Sequence, residues 1–161
     1  MRKLKIYLDT SIISFLFAED SPDFRKITEA FFKVHAPRYE LYISDVVRLE
    51  LSKAPDAAHR RKLLGTLDAY PIKTLPMDRR EEVTRLAERY IARRAIPRGK
   101  IEDALHVAFA IVYELDVLLS WNFKHLANLK KETRLMAVSV EAGYHHGLRL
   151  ISPLGVEDEA D

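Results

Sequence analysis

The chain has 161 residues, 48% of them hydrophobic and 31% charged, with a formal charge of +2, the composition of one globular domain with a substantial core. It has no cysteine, which excludes disulfides, thiolate nucleophiles and cysteine-containing zinc sites. No stretch approaches the roughly 20 apolar residues of a membrane span, and net charge forces no polyelectrolyte partner. Its distribution is uneven: residues 77–100 are rich in Arg and Lys, whereas 156–161 are acidic. A basic helix is compatible with phosphate binding, but a solvated helix with i,i+4 ion pairs explains it equally well. The basic start "MRKLK" precedes an apolar run, yet Asp9 interrupts that run and no small-x-small cleavage site follows. The expectation is a cytoplasmic chain without a signal peptide.

In chain order, "LKIYLD" (4–9) reads as a short buried strand of the parallel type. A helix is expected from Thr10 or Ser11 through "IISFLFAED". "SPDFRKITEAFFKVHA" is a second, with Ser21 as N-cap, Pro22 at the first position, and Phe24, Ile27, Phe31 and Val34 on one stripe. "ELYIS" (40–44) is a strand feeding the helix "DVVRLELSKA", which Ser44 or Asp45 caps and Pro55 ends. "AAHRRKLLGTLDAY" is helical and "PIKTLP" (71–76) a short strand. The basic helix "DRREEVTRLAERYIARRA" has Val83, Leu86, Ala87, Tyr90 and Ile91 as its apolar face, ending at Pro97 and Gly99. The apolar helix "KIEDALHVAFAIVYEL", the strand in "DVLLSWN", a partly helical stretch 123–144 and the strand "LRLIS" (148–152) complete the chain. Alternating strands and helices predict an α/β fold with a mostly parallel sheet: one domain over 1–155 and an acidic tail at 156–161.

Ligands of open parallel sheets bind beyond the carboxyl ends of the strands. There the sequence places Asp9, Thr10 and Ser11 after the first strand. Ser44 and Asp45 follow the second, with Glu50 on the helix it feeds, and Ser120, Trp121 and Asn122 end the strand "DVLLS". Asp103, beside Glu102, opens the helix before that strand. Oxygen-bearing side chains from distant elements suit a hard cation such as Mg²⁺ or Mn²⁺, which would relieve their mutual repulsion and stabilise charge on a phosphoryl oxygen. Each residue also has a plainer role: Asp9 or Asn122 as a helix cap, Asp103 as a first-turn acid, Glu50 as an exposed helix acid. Those roles leave the joint placement at one sheet edge unexplained. His106, one turn after Asp103, reads as a packed, hydrogen-bonded core residue that is close enough to approach the site. His125 reads likewise, the pair His145–His146 as loop, and Trp121 as packing. No arrangement of paired imidazoles, P-loop or dinucleotide glycine pattern is present.

Taken together, "YLDTSIISFL", "ISDVVRLEL", "EDALHVAFAIVYELDVLLSWNFKHLAN" and "GYHHGLRLISP" resemble the PIN-domain family, in particular VapC-like ribonuclease toxins of toxin–antitoxin pairs. The resemblance covers nearly the whole chain but is thin over 54–98. It implies a three-layer α/β/α fold and an Mg²⁺- or Mn²⁺-dependent endoribonuclease. The family's acidic positions fall on Asp9, Glu50 and Asp103, and its fourth, often Asp, on Asn122. That departure removes a charge and favours a one-metal site in which Asn122 holds a ligand water or positions the substrate. Thr10, Ser11 and Ser120 match the supporting polar residues. Arg94, Arg98, Lys100 and Lys124 are candidate contacts to RNA. The resemblance further implies a cognate antitoxin and a homodimer. Alternatives are a non-catalytic PIN-like scaffold that binds RNA or protein, and a DNA nuclease of similar chemistry.

Overall fold

Five short strands, each separated from the next by at least one helix, form a single all-parallel sheet in a computed structural model that describes residues 2–157. In chain order the elements are β1 (Lys5–Leu8), α1 (Thr10–Ser14), α2 (Pro22–Ala30), β2 (Glu40–Ile43), α3 (Asp45–Ser52), α4 (Ala57–Ala69) and β3 (Ile72–Thr74). Then come α5 (Arg80–Ala92), α6 (Ile101–Val112), β4 (Val117–Leu119), α7 (Leu129–Glu141), β5 (Arg149–Ile151) and α8 (Pro153–Glu157). The spatial order is β3-β2-β1-β4-β5. From β1 the chain steps to β2 and β3 on one side, then crosses back to β4 and β5 on the other. Right-handed crossovers therefore put the two sets of connecting helices on opposite faces. Accordingly α1 packs with α3 and α3 with α4, while α5 packs with α6 and α7. This is the expected three-layer α/β/α arrangement. Ile6, Tyr7 and Leu8 of β1 are all buried, as the central strand of a sheet covered on both faces must be.

Local departures from the expected elements have local causes. The helix after Asp9 is short: Thr10–Ser14 gives way to a 3₁₀ turn at Phe15–Phe17. Pro22 opens α2 as expected, but the Ser21 side chain makes no capping hydrogen bond. Phe31–His35 forms a π-helical turn, whose extra residue shifts the helical phase of the side chains within it. Val34 is thereby turned out to 55% exposure, while Phe31, Phe32 and His35 are buried. The basic helix ends at Ala92, before Pro97, because the N–H groups of Ala95 and Ile96 both donate to the Tyr90 carbonyl (2.8 and 3.2 Å). Arg94 takes the left-handed conformation at that cap (φ 60°). Its apolar face is as expected, with Val83, Leu86, Ala87 and Tyr90 buried and Ile91 partly so. Of the basic helix's cations, Arg79 pairs with Glu82, Arg80 reaches Asp45 of α3, and Arg93 pairs with Glu141 of α7. α8 carries past position 155 and Val156 is buried; positions 158–161 of the acidic segment lie outside the described residues. No helix of the described residues is long and apolar enough to cross a membrane.

Asp116 fixes the amino-terminal edge of the central strands. Its carboxylate accepts from the Lys5 N–H (2.8 Å) and from both terminal nitrogens of Arg2 (2.8 and 3.0 Å). Its backbone donates to the Lys5 carbonyl and accepts from Arg149 N–H, so one residue joins β1, β4 and β5. The Arg2 guanidinium, aided by the Lys5 N–H and His146, holds the Asp116 carboxyl down to about 2. A depressed carboxyl contributes stability that is present above its unfolded value of about 3.9 and lost as pH falls towards the folded one. Because Arg2 is 62% exposed, solvent screening reduces the contribution to no more than about 1 kcal/mol. Asp116→Asn is expected to lose about that much in urea unfolding at neutral pH, with the difference from wild type shrinking between about pH 4 and pH 2. A deficit that does not change with pH would contradict this role.

Candidate active site

Strand order reverses between β1 and β4, so this parallel sheet has its topological switch point there. Leu8 is in register with Leu119, and Asp9 N–H continues the ladder to the Leu119 carbonyl (3.2 Å). Asp9 therefore leaves the sheet directly beside Ser120. It is only 4% exposed, and both of its oxygens are occupied. Oδ1 accepts from the backbone N–H (3.1 Å) and hydroxyl (2.5 Å) of Ser11, and Oδ2 accepts from the Ser120 hydroxyl (2.5 Å). Asp9 is thus itself the N-cap of α1; the neighbours Thr10 and Ser11 do not take that role from it. Ser11 Oγ also receives the Trp121 N–H (2.9 Å) and Ser120 Oγ the Asn122 N–H (2.9 Å). The polar turn after β1 and the polar turn after β4 are thereby stitched together.

Glu50 approaches from the second turn of α3, which Ser44 caps through Val46 N–H (3.2 Å). Its Oε1 accepts from Thr10 Oγ1 (2.7 Å) and pairs with His106 Nε2 (2.7 Å). Asp103 stands in the first turn of α6, and its Oδ2 accepts from Asn122 Nδ2 (3.3 Å). Among the described residues neither Glu50 Oε2 nor Asp103 Oδ1 has a hydrogen-bond partner. Asn122, expected to hold a ligand water or position the substrate, is engaged at both ends of its amide. Its Oδ1 accepts from His125 N–H (3.0 Å), which fixes the amide so that its nitrogen faces Asp103. It caps the turn after β4 and supports a neighbouring carboxylate.

His106, read from the sequence as a core residue, is buried and also belongs to this site. Besides Glu50 it meets the Tyr7 hydroxyl through Nδ1 (2.6 Å), and Tyr7 in turn meets Ser44 Oγ (2.7 Å). Sequence reasoning gives Tyr7 no role beyond the strand, and Ser44 a place at the sheet edge and that of a cap. The available signals were the i,i+3 spacing of His106 from Asp103 and the need of a buried tyrosine hydroxyl for a partner.

His106 acts on all three acids. Burial raises the Asp9 carboxyl, with Asp103 adding to the effect while His106, Ser11 and Ser120 oppose it. Burial likewise raises Asp103, Glu50 adds to it, and His106 and His125 oppose it. For Glu50 burial acts upward too, but His106 and Thr10 outweigh it and the net shift is downward. His106 is pushed down by burial, yet Glu50, Asp9 and Asp103 together raise it. One imidazole thus feels the field of three acids and hydrogen-bonds one of them, Glu50. Among the described residues, no three acidic or histidine side chains are arranged to hold a metal ion as they stand. The free donor atoms, Glu50 Oε2 and Asp103 Oδ1, are all oxygen, and ionising the buried acids is costly without a nearby cation. That donor chemistry fits a hard cation that keeps most of its waters.

The remaining candidates lie at the periphery. Arg94, Arg98, Lys100 and Lys124 are all exposed, and none has a hydrogen bond or ion pair to an acidic side chain among the described residues. Trp121 is 5% exposed, stacks on Phe24 at 4.4 Å and donates Nε1–H to Thr28 Oγ1 (2.9 Å), so packing accounts for it.

Comparison with solved structures places this architecture. A chain of VapBC-1 from nontypeable Haemophilus influenzae superposes with a TM-score of 0.59 at 18% identity, over 94% of this chain and 99% of that one. A chain of VapBC2 from Rickettsia felis, bound to a DNA fragment from its promoter, gives 0.56 at 17% identity, over 92% and 98%. At such identities the likeness is one of fold. Comparison with curated proteins gives no match. The PIN domain family model matches residues 6–129, a span holding Asp9, Glu50, Asp103 and Asn122 together with the whole switch point, and the chain belongs to the PIN domain family.

Proposed function

We propose that this protein is a divalent-metal-dependent endoribonuclease, the toxin of a toxin–antitoxin pair. The observation that carries the reading is the hydrogen bonding at the switch point, where Asp9 is held by Ser120, Glu50 by Thr10 and His106, and Asp103 by Asn122, in a chain of the PIN domain family. Structural likeness to chains of two VapBC assemblies supports a protein partner.

In this reading Glu50 and Asp103 would hold Mg²⁺ or Mn²⁺, with Asp9 beside them. When bound, the ion supplies Lewis-acid stabilisation of phosphoryl charge and a more acidic water. The chain's own contribution is positional. Ser11 and Ser120 hold the Asp9 carboxylate through three hydrogen bonds, Thr10 and His106 hold Glu50, and Asn122 holds Asp103. The scissile phosphate would approach the cation that Glu50 and Asp103 hold rather than the carboxylates themselves, with Arg94, Arg98, Lys100 and Lys124 as exposed cations for the flanking phosphates. Because Asn122 brings a donor amide where a carboxylate would add charge, the site suits one ion.

The test is cleavage of RNA and of DNA of matched sequence with Mg²⁺ or Mn²⁺. Wild type is expected to cut RNA, and Asp103→Asn to lose on the order of a hundredfold or more, as befits several kcal/mol of metal-derived stabilisation. Equal activity in both proteins would overturn the nuclease assignment, and preference for DNA would overturn the substrate class.

Asn122→Asp gives a second, activity-free test. The substitution removes the donor to Asp103 and sets a like charge 3.3 Å away. The metal-free protein is expected to melt a few degrees lower, as about 1 kcal/mol implies for a domain of this size. Mn²⁺ is expected to raise its melting temperature more than that of wild type. Equal Mn²⁺ shifts would contradict a cation held beside these two positions.

A further inference from the structure

The hydrogen bonds around His106 form one continuous chain whose direction can be worked out from donor counts. Ser44 Oγ accepts the Val46 N–H (3.2 Å), and among the described residues its only other partner is Tyr7 Oη at 2.7 Å. If the serine donates to Tyr7, the tyrosine hydroxyl is free to donate to His106 Nδ1 at 2.6 Å. Nδ1 is then the acceptor, so Nε2 carries the proton and donates to Glu50 Oε1 at 2.7 Å. Every hydrogen in the chain has an acceptor in this arrangement. If the imidazole were doubly protonated, the first links would reverse, but Nε2–H would still point at Glu50.

The chain starts at the N-terminus of α3 and returns to the second turn of the same helix by way of β1 and α6. Tyr7 and Ser44 are 0% exposed and His106 2%, whereas the Glu50 side chain retains 29%. A flexible acid at the open side of the site is thus tied to rigid groups in the core. Thr10 Oγ1 donates to the same oxygen at 2.7 Å. Oε1 is filled twice, and Oε2 is the oxygen left without a hydrogen-bond partner among the described residues. A glutamate left free would lose rotamer entropy on being fixed; here the core has already fixed it.

We propose that His106, held by Tyr7 and Ser44, is a positioning residue that presents Glu50 Oε2 to the bound cation, an inference that rests on the metal-dependent reading of the site. It touches neither substrate nor metal and acts through Glu50. Loss of such an outer-shell partner typically costs 10–100-fold in metal affinity.

The experiment is Mn²⁺ titration of the intact protein without RNA, followed by the paramagnetic resonance signal of free Mn²⁺. Wild type, Asp103→Asn, His106→Ala, His106→Gln and Tyr7→Phe are compared. Tyr90→Phe serves as a control for destabilisation, because it breaks a similar buried hydroxyl pair, Tyr90–Ser139 at 2.6 Å, made between α5 and α7. His106→Ala is expected to weaken Mn²⁺ binding by roughly 10–100-fold. His106→Gln should recover part of that loss, since it restores an N–H near Nε2. Tyr7→Phe, which keeps the ring and the core volume, should weaken binding several-fold and secures the test if His106→Ala does not fold. Tyr90→Phe should leave affinity unchanged despite a lower melting temperature. If wild type and Asp103→Asn bind Mn²⁺ alike, the metal-dependent reading fails and this inference with it. If Asp103→Asn loses binding while Tyr7→Phe and His106→Gln match wild type, the site stands and the positioning role is overturned.

Discussion

The arrangement depends on one costly placement: a carboxylate, Asp9, at the end of the central strand with 4% exposure. An ionised acid there requires hydrogen bonds or opposite charge, and the surrounding sequence supplies the hydrogen bonds locally. Ser11 caps back from the next turn and Ser120 reaches across from β4, so that the same contacts that satisfy Asp9 also join the two strand ends. His106 adds a hydrogen bond to Glu50, and the three acids in turn raise the histidine's pKa against its burial. Satisfaction of one buried acid and assembly of the site are the same set of bonds.

Topology explains why this happens at one edge. In a parallel sheet all strands present their carboxyl ends on the same side, and the order β3-β2-β1-β4-β5 opens a crevice between β1 and β4 where the connections diverge. The α6 helix runs back over the sheet, so its first turn brings Asp103 to that edge. The helix α3 leaves it, so its second turn brings Glu50. At the opposite edge Asp116 performs a structural version of the same task, pairing with Arg2 and the backbone of β1. Its carboxylate is stabilised by an exposed arginine and by the backbone of β1, which is a structural role.

Much of this was legible in the sequence because the signals are local. Apolar runs that stop at Asp-Thr-Ser, Ser-Asp and Ser-Trp-Asn mark strand ends, and alternation with helices implies a parallel sheet. The illegible part lies in long-range contacts. Tyr7 is indistinguishable in sequence from a core strand residue until its hydroxyl is seen 2.6 Å from a histidine 99 positions away. Asn122 could be read as a ligand or as a cap, and only the His125 N–H decides which way its amide faces. The exposed Val34 arises from a π-turn that helical periodicity does not anticipate, and the early end of α5 from a left-handed Arg94, where glycine would have been the signal.

The central claim is that these acids hold a cation at the switch point, and anomalous diffraction from crystals soaked in Mn²⁺ addresses it most directly. The account predicts a manganese peak bounded by Glu50 Oε2 and Asp103 Oδ1, with Asp9 adjacent. A crystal saturated with Mn²⁺ that shows ordered peaks elsewhere and none at this edge would contradict it.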